Sequence, residues 1–170
     1  ARFMRHGVHN IAYRVTEKDQ LKFHKDRLQE LGIRGPMMKE LLAKGKVLIG
    51  EREVAIDEVS WLRKGDSFVA ILDTKLCEGA FEIAQGAKML LCEATYLDEH
   101  RHLASQYLHL TAKQAAEIAA KGGVETLILT HYSARYPDSM AHQEEAREVF
   151  PNAFSANDLQ VFPFIKQKLL

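Results

Sequence analysis

The sequence predicts an α/β fold built on a layered sheet, and three observations carry that prediction. Apolar runs at 67–72, 88–91 and 124–130 alternate with helical stretches at 75–85, 111–122 and 139–149, the pattern of short strands with helices packed across them. The middle helix is marked at both ends, by the capping box Thr111-Ala-Lys-Gln114 and by Gly122-Gly123. Polar residues follow the apolar runs directly: Asp73-Thr74, Glu93 and His131. Strand ends are where α/β proteins assemble their sites.

In chain order, the β-branched and aromatic residues at 8–15 predict a strand. The character then changes to a charged, helical segment over 16–64 that holds Leu21, Leu28 and Leu31, a Gly32-Ile33-Arg34-Gly35-Pro36 turn, a short helix at 37–43 and a weak strand pattern at 54–59. Frequent breakers and few large apolar residues predict an excursion there rather than core. After the alternating region, a polar and His-rich stretch follows Tyr96, a turn falls at Tyr136-Pro137, and a last strand is predicted at 159–162.

Composition narrows the function classes. A chain of 170 residues that is 46% hydrophobic can bury a real core. Acidic and basic residues cancel at 23 each, so no global positive field draws in nucleic acid and any RNA grip must be local. Cys77 and Cys92 lie in apolar stretches without C-x-x-C spacing, which gives neither a disulfide framework nor a thiolate zinc site and fits a reducing cytosol. No apolar run approaches the roughly 18 residues of a membrane span, so a soluble, cytoplasmic protein is expected. The chain opens Ala1-Arg-Phe-Met-Arg-His6 without an initiator Met and has the look of a cut chain.

Three polar residues are candidates for chemistry. A carboxylate at the end of a buried strand needs hydrogen bonds or a cation, because desolvating an unpaired charge costs several kcal/mol, so Asp73 wants a partner. The alternative is that Asp73 or Thr74 caps the following helix. Neutral imidazole and carboxylate are the ligands zinc favours, which makes His131 a possible companion to Asp73, against the plainer role of a hydrogen-bonded structural His. His109 stands two residues before the Thr111 cap, where the helix dipole disfavours imidazolium. It is either a proton donor of lowered pKa or a surface His in a run with His100 and His102.

Together these segments resemble ribonuclease Z, a family of the metallo-β-lactamase superfamily. The matching runs are His6-Gly7-Val8 with Ala12-Tyr13-Arg14-Val15, Leu72-Asp73-Thr74, Cys92-Glu93-Ala94-Thr95-Tyr96, His109-Leu110-Thr111, and Leu129-Thr130-His131-Tyr132-Ser133-Ala134-Arg135-Tyr136, in family order and spacing. The resemblance implies the carboxyl-terminal half of an αββα sandwich, formed by 1–15 and 65–170, with an inserted flexible arm at 16–64. It implies two zinc ions per complete site, with His6 on one, His131 on the other and Asp73 bridging them. Glu93 and His109 match the pair that relays a proton to the leaving oxygen. The implied reaction is phosphodiester hydrolysis beside the discriminator base of precursor tRNA, leaving a 3′-hydroxyl.

The arm would then grip the tRNA body. Gly35-Pro36 matches its glycine-proline turn, and Lys18, Lys22, Lys25, Arg27, Lys39, Lys44 and Lys46 supply a local basic cluster. The alternative is a solvated charged helix whose bases Asp26, Glu30 and Glu40 balance. Arg135 offers a planar fork for a phosphate or, equally, a structural ion pair.

The sequence departs from the family in four places. Leu72 stands for the usual glycine, Cys92 for a histidine and Leu110 for a serine. The H-x-H-x-D-H motif, which supplies most metal ligands in the family, occurs nowhere in these residues. An inactive isolated chain with weak or no zinc binding is therefore predicted. A missing amino-terminal half, or a second copy in a homodimer, is expected to cover the apolar sheet face. Two rivals stand beside this: another metallo-β-lactamase-fold hydrolase of a small phosphodiester, sulfate ester or lactone, and a non-catalytic fragment that complements a separate piece.

Overall fold

The computed structural model describes residues 1–164, and the chain forms two compact units, Ala1–Thr16 with Asp66–Leu170 and Glu17–Gly65. The first unit opens with an antiparallel hairpin of β1 (Arg2–Arg5) and β2 (His9–Thr16).

The second unit follows. It contains β3 (Gln20–Phe23), α1 (Lys25–Glu30), α2 (Pro36–Lys44), β4 (Lys46–Ile49), β5 (Arg52–Ala55) and β6 (Ser60–Arg63), with β3 paired to β6 and β4 to β5. Gly35 precedes α2 at φ +54, a left-handed conformation that excludes most side chains, and Pro36 fits the first helical position because its φ is already set. The expected excursion is in fact a folded unit with its own core of Ile33, Leu41, Val47, Val54 and Val59. Those residues are too scattered along the chain to read as core, and only the two antiparallel strand pairs and α2 bring them together. Leu41 is fully buried, so Leu41→Ala is expected to destabilise this unit by about 2–5 kcal/mol. The fluorescence of Trp61, the single tryptophan, on β6, reports denaturant unfolding of this unit selectively.

The chain then returns to the first unit with β7 (Ser67–Ile71), α3 (Glu78–Ala84), β8 (Met89–Glu93), α4 (Arg101–Tyr107), α5 (Ala112–Gly122), β9 (Thr126–Thr130), α6 (Met140–Arg147) and β10 (Ala153–Ser155). One sheet in the order β1-β2-β7-β8-β9-β10 results. β7 through β10 pair in parallel and β2 lies antiparallel to β7. Thr111 caps α5 as expected, accepting from the Gln114 N–H while the Gln114 side chain accepts from the Thr111 N–H. Helix α4, within the His-rich stretch, has no cap or breaker signal at its start.

Alternation in the strands decides the layers. Val69, Ile71, Leu90, Cys92, Leu127 and Leu129 point to the face that α3 and α5 cover, where Ala80, Ala84, Ala115, Ala116 and Ala119 allow close approach. The opposite face carries Phe3, Ile11, Tyr13 and Val15, which are exposed at 74, 38, 60 and 68%, as a sheet with helices on one side only would leave them. Among the described residues no helix is long and apolar enough to cross a membrane.

The strand expected at 159–162 is absent. The edge of β9 is taken instead by Ala153–Ser155, and Leu159 is fully exposed at φ +64, a backbone turn no strand contains.

Candidate functional site

β1 runs antiparallel to β2 and β2 antiparallel to β7, so β1, β7, β8 and β9 all run the same way. His6, Asp73, Thr95 and His131 therefore leave the sheet, and Glu93 ends its strand, at one edge. The loop after β7 is tied to the tip of β1 by the Arg5 N–H donating to Thr74 Oγ1 at 3.0 Å and the Lys75 N–H donating to the Arg5 carbonyl at 2.9 Å. Asp73 and His131 adopt φ +48 and +60, left-handed conformations that cost residues with side chains of order 1–3 kcal/mol and concentrate at functional sites. The left-handed residue is Asp73 and not Leu72, which stands where the family has glycine, and the Asn10 side-chain amide braces the turn by donating to the Leu72 and Asp73 carbonyls. Neither Asp73 nor Thr74 caps the following helix, because α3 begins after Cys77.

Glu93 organises the centre. It is fully buried, and its Oε1 accepts from the Thr74 N–H at 2.5 Å while Oε2 accepts from the Thr95 hydroxyl at 2.6 Å and the Leu110 N–H at 3.0 Å. His109 Nδ1 lies 3.1 Å from both oxygens. A buried carboxylate is tolerated when every lone pair meets a donor, and these donors meet that requirement. The same contacts correct the expected proton affinity of His109. The hydrogen bond to Glu93 raises its pKa above the ordinary imidazole value, outweighing the opposing effect of burial. A carboxylate at hydrogen-bond distance acts more strongly than a helix dipole whose first turn begins beyond two intervening residues.

Three imidazoles are held alike. His6 Nδ1 lies 3.1 Å from the Leu108 carbonyl, which can only accept. His109 Nδ1 faces Glu93, and His131 Nδ1 lies 2.9 Å from Thr95 Oγ1. Each ring is thus anchored through Nδ1, and His131 turns its Nε2 to Asp73 Oδ1. The His109 ring sits between the other two, its centroid 5.1 Å from His6 and 5.2 Å from His131.

Asp73, His109 and His131 each offer a ligand atom, and these atoms lie within 4.8 Å of one another. Among the described residues Asp73 Oδ1 is buried without a hydrogen-bond partner, although His131 Nε2 is 3.1 Å away. With its proton on Nδ1, His131 would set a bare Nε2 against that oxygen, and two such acceptors repel unless a cation lies between them. Bond lengths of about 2.0–2.1 Å to a tetrahedral ion separate two ligands by roughly 3.3 Å, close to what is seen. The residues present therefore fit a metal ion. His6 lies outside this trio, one ring further along, whereas His109, expected only as a proton carrier, lies inside it.

The remaining candidates are more peripheral. The Arg135 guanidinium carbon stands 5.6 Å from the Tyr96 ring centre, a cation–π contact, and among the described residues no ion pair holds it. Cys92 is buried in the apolar core on the helix side, where desolvation raises its thiol pKa, so the residue that replaces the family histidine faces away from Glu93. In the smaller unit, Lys44 pairs with Glu40 and Lys46 with Glu53, both at 2.8 Å, while Lys39 is exposed on α2 and Gly35-Pro36 form its amino-terminal turn. Sequence reasoning passed over Thr95, although it sits in the Glu-Ala-Thr run, and over His142. The latter is buried on α6 between Tyr132 and Tyr136, with ring centroids at 4.9 and 4.6 Å, and gave no signal in a helix of polar residues.

The mixed sheet with helices on one face and a His/Asp cluster at its strand ends is of the metallo-β-lactamase type by its likeness to a solved structure. A metallo-β-lactamase fold protein from Bacillus subtilis superposes on 58% of this chain and 41% of its own, with a TM-score of 0.50 and 20% identity. No family model matches the chain. Ribonuclease Z of Protochlamydia amoebophila is 49% identical over 169 residues, 99% of this chain and 55% of the relative. Ribonuclease Z of Chlamydia trachomatis is 43% identical over 166 residues, 98% of this chain and 55% of the relative. The chain thus spans about half the length of the curated relatives it matches. Over the part it spans, it belongs to the ribonuclease Z family.

Proposed function

We propose that this chain is the carboxyl-terminal half of a zinc-dependent endoribonuclease that removes 3′ trailers from precursor tRNA, and that it contributes one side of the active site. The observation that carries this is the meeting of Asp73, whose Oδ1 has no hydrogen-bond partner, with imidazoles that all present Nε2. His6, Asp73 and His131 would hold two zinc ions together with ligands from an H-x-H-x-D-H segment. Such ions stabilise the entering and leaving oxygens of a phosphodiester and lower the pKa of water. His109, whose hold on a proton Glu93 strengthens, carries one at Nε2 toward the departing 3′ oxygen. Arg135, beside Tyr96, holds a neighbouring phosphate.

The unit Glu17–Gly65 is the tRNA-gripping arm, with Lys39, Lys44, Lys46 and the Gly35-Pro36 turn on the RNA. The acidic partners of Lys44 and Lys46 do not prevent this, because exposed ion pairs contribute only about 0–1 kcal/mol and exchange readily for phosphate. The exposed apolar residues Phe3, Ile11, Tyr13 and Val15 are the face that the other half of the sandwich covers. The complete protein is a cytoplasmic homodimer.

Zinc stoichiometry and precursor-tRNA cleavage test this. The isolated 170-residue chain is expected to bind little zinc and to cleave nothing, and addition of an H-x-H-x-D-H half is expected to restore both. Robust turnover by the chain alone would overturn the division of the site. Deleting Glu17–Gly65 from the complemented enzyme should abolish tRNA binding yet spare a small phosphodiester, and unchanged tRNA cleavage would favour a small-molecule hydrolase instead.

A further inference from the structure

Thr95 is the polar residue of the centre that the relay and the ligand set leave without a task. Its hydroxyl stands between Glu93 Oε2 at 2.6 Å and His131 Nδ1 at 2.9 Å. A hydroxyl has one proton, and the shorter contact, in the range of O–H donating to a carboxylate oxygen, fixes where it goes. Both Glu93 oxygens also meet backbone N–H groups that can only donate, from Thr74 and Leu110, so the carboxylate acts as acceptor throughout. The lone pair of Thr95 Oγ1 is then what faces His131, and a lone pair requires a donor opposite it.

We infer that Thr95 is a positioning residue that sets the tautomer of His131, placing the proton on Nδ1 and baring Nε2 toward Asp73. The chain of donors runs His131 Nδ1–H to Thr95 Oγ1, and Thr95 O–H to Glu93 Oε2. Metal-binding histidines commonly give their second N–H to a carboxylate or carbonyl, and here a threonine is interposed so that one carboxylate serves two histidines. Glu93 anchors His109 directly and His131 through Thr95. The absence of hydrogen-bond geometry at Asp73 Oδ1, only 3.1 Å from Nε2, agrees with a bare Nε2. His131 is 45% exposed and sits at positive φ, so neither burial nor ordinary backbone geometry would otherwise hold the ring in one form.

This inference rests on the proposed role of His131 as a ligand, but its test needs neither metal nor RNA. Long-range ¹⁵N–¹H correlation on the 170-residue chain, at about pH 8 and so above the ordinary imidazole range, reads which ring nitrogen carries the proton. Wild type is expected to show His131 protonated at Nδ1 and bare at Nε2. Thr95→Val keeps the shape and removes the acceptor, and is expected to move the proton to Nε2, the form free histidine side chains prefer. Thr95→Ser is expected to restore the Nδ1–H form and guards against a fold defect in the valine variant. Once the chain is complemented, Thr95→Val should weaken zinc binding by roughly ten- to a hundredfold. A wild-type His131 protonated at Nε2, or a tautomer unchanged by Thr95→Val, would overturn the inference. The expected tautomer switch with no zinc uptake by the complemented protein would support it while sinking the ligand role of His131.

Discussion

Glu93→Gln is expected to be the most damaging conservative substitution in this chain, costing about 3–5 kcal/mol of stability, the range for removing one partner of a buried ionic hydrogen-bond network. The glutamine NH2 brings two donors into a pocket where Thr74, Thr95, Leu110 and His109 already donate. One of the backbone N–H groups is left facing another N–H, and a buried unsatisfied donor alone costs about 1–3 kcal/mol. Urea denaturation of the chain measures the loss. In the complemented enzyme the same substitution is expected to lower turnover by roughly 10²–10⁴, the contribution of a positioned acid–base group. An NMR titration of His109 would show its pKa falling back toward the ordinary imidazole value. A variant as stable as wild type, with an unchanged His109 titration, would remove Glu93 from the centre of the site.

The second large effect is acid lability set by His142. Burial holds its pKa down, to about 4 from the ordinary 6.5, against smaller opposing contributions from the Thr95 main chain and the Asp138 charge. Among the described residues neither ring nitrogen meets a partner at hydrogen-bond geometry. The folded state therefore resists a proton that the unfolded chain accepts. The stability tied to this group is fully present above pH 6.5 and is lost as the pH falls through 6.5 toward 4. The loss is on the order of 3 kcal/mol, at about 1.4 kcal/mol per pKa unit. His142→Phe keeps a ring between Tyr132 and Tyr136 and is expected to flatten that part of the stability profile relative to wild type. Parallel pH profiles for the two proteins, measured by denaturant unfolding, would exclude His142 as the source. Because α6 packs on the core through Ala146 and abuts β10, the unfolding read here belongs to the larger unit.

How far the site was legible depended on how local each signal was. Asp73, Glu93 and His131 stand out in the sequence because a polar residue directly after an apolar strand is visible along the chain, and the alternation that defines those strands is a local property of the backbone. Thr111 was found for the same reason, since a capping box is complete within four residues. The pKa of His109 was misjudged because its dominant neighbour, Glu93, is sixteen positions away in sequence, while the helix dipole that argued the other way was adjacent. His142 and the core of the smaller unit were missed because nothing in the neighbouring residues records their burial. The misplaced last strand shows the limit of apolar runs as evidence: Ala153–Ser155 is shorter and less apolar than 159–162, yet it has β9 beside it.

What the sequence by itself determined was the alternation of strands and helices, the cap of α5, the polar residues at the strand ends and, through their order and spacing, the family. Each of these depends on residues close together in the chain or on a fixed pattern of identities. Tertiary structure alone decided that Glu93 collects five donor contacts from Thr74, Thr95, His109 and Leu110, that three histidines are anchored through Nδ1, and that among the described residues Asp73 Oδ1 is left without a hydrogen-bond partner. The physical reason is that hydrogen bonds and desolvation act over a few ångströms of space, and those distances are set only when β1, β7, β8 and β9 end at one edge of a single sheet.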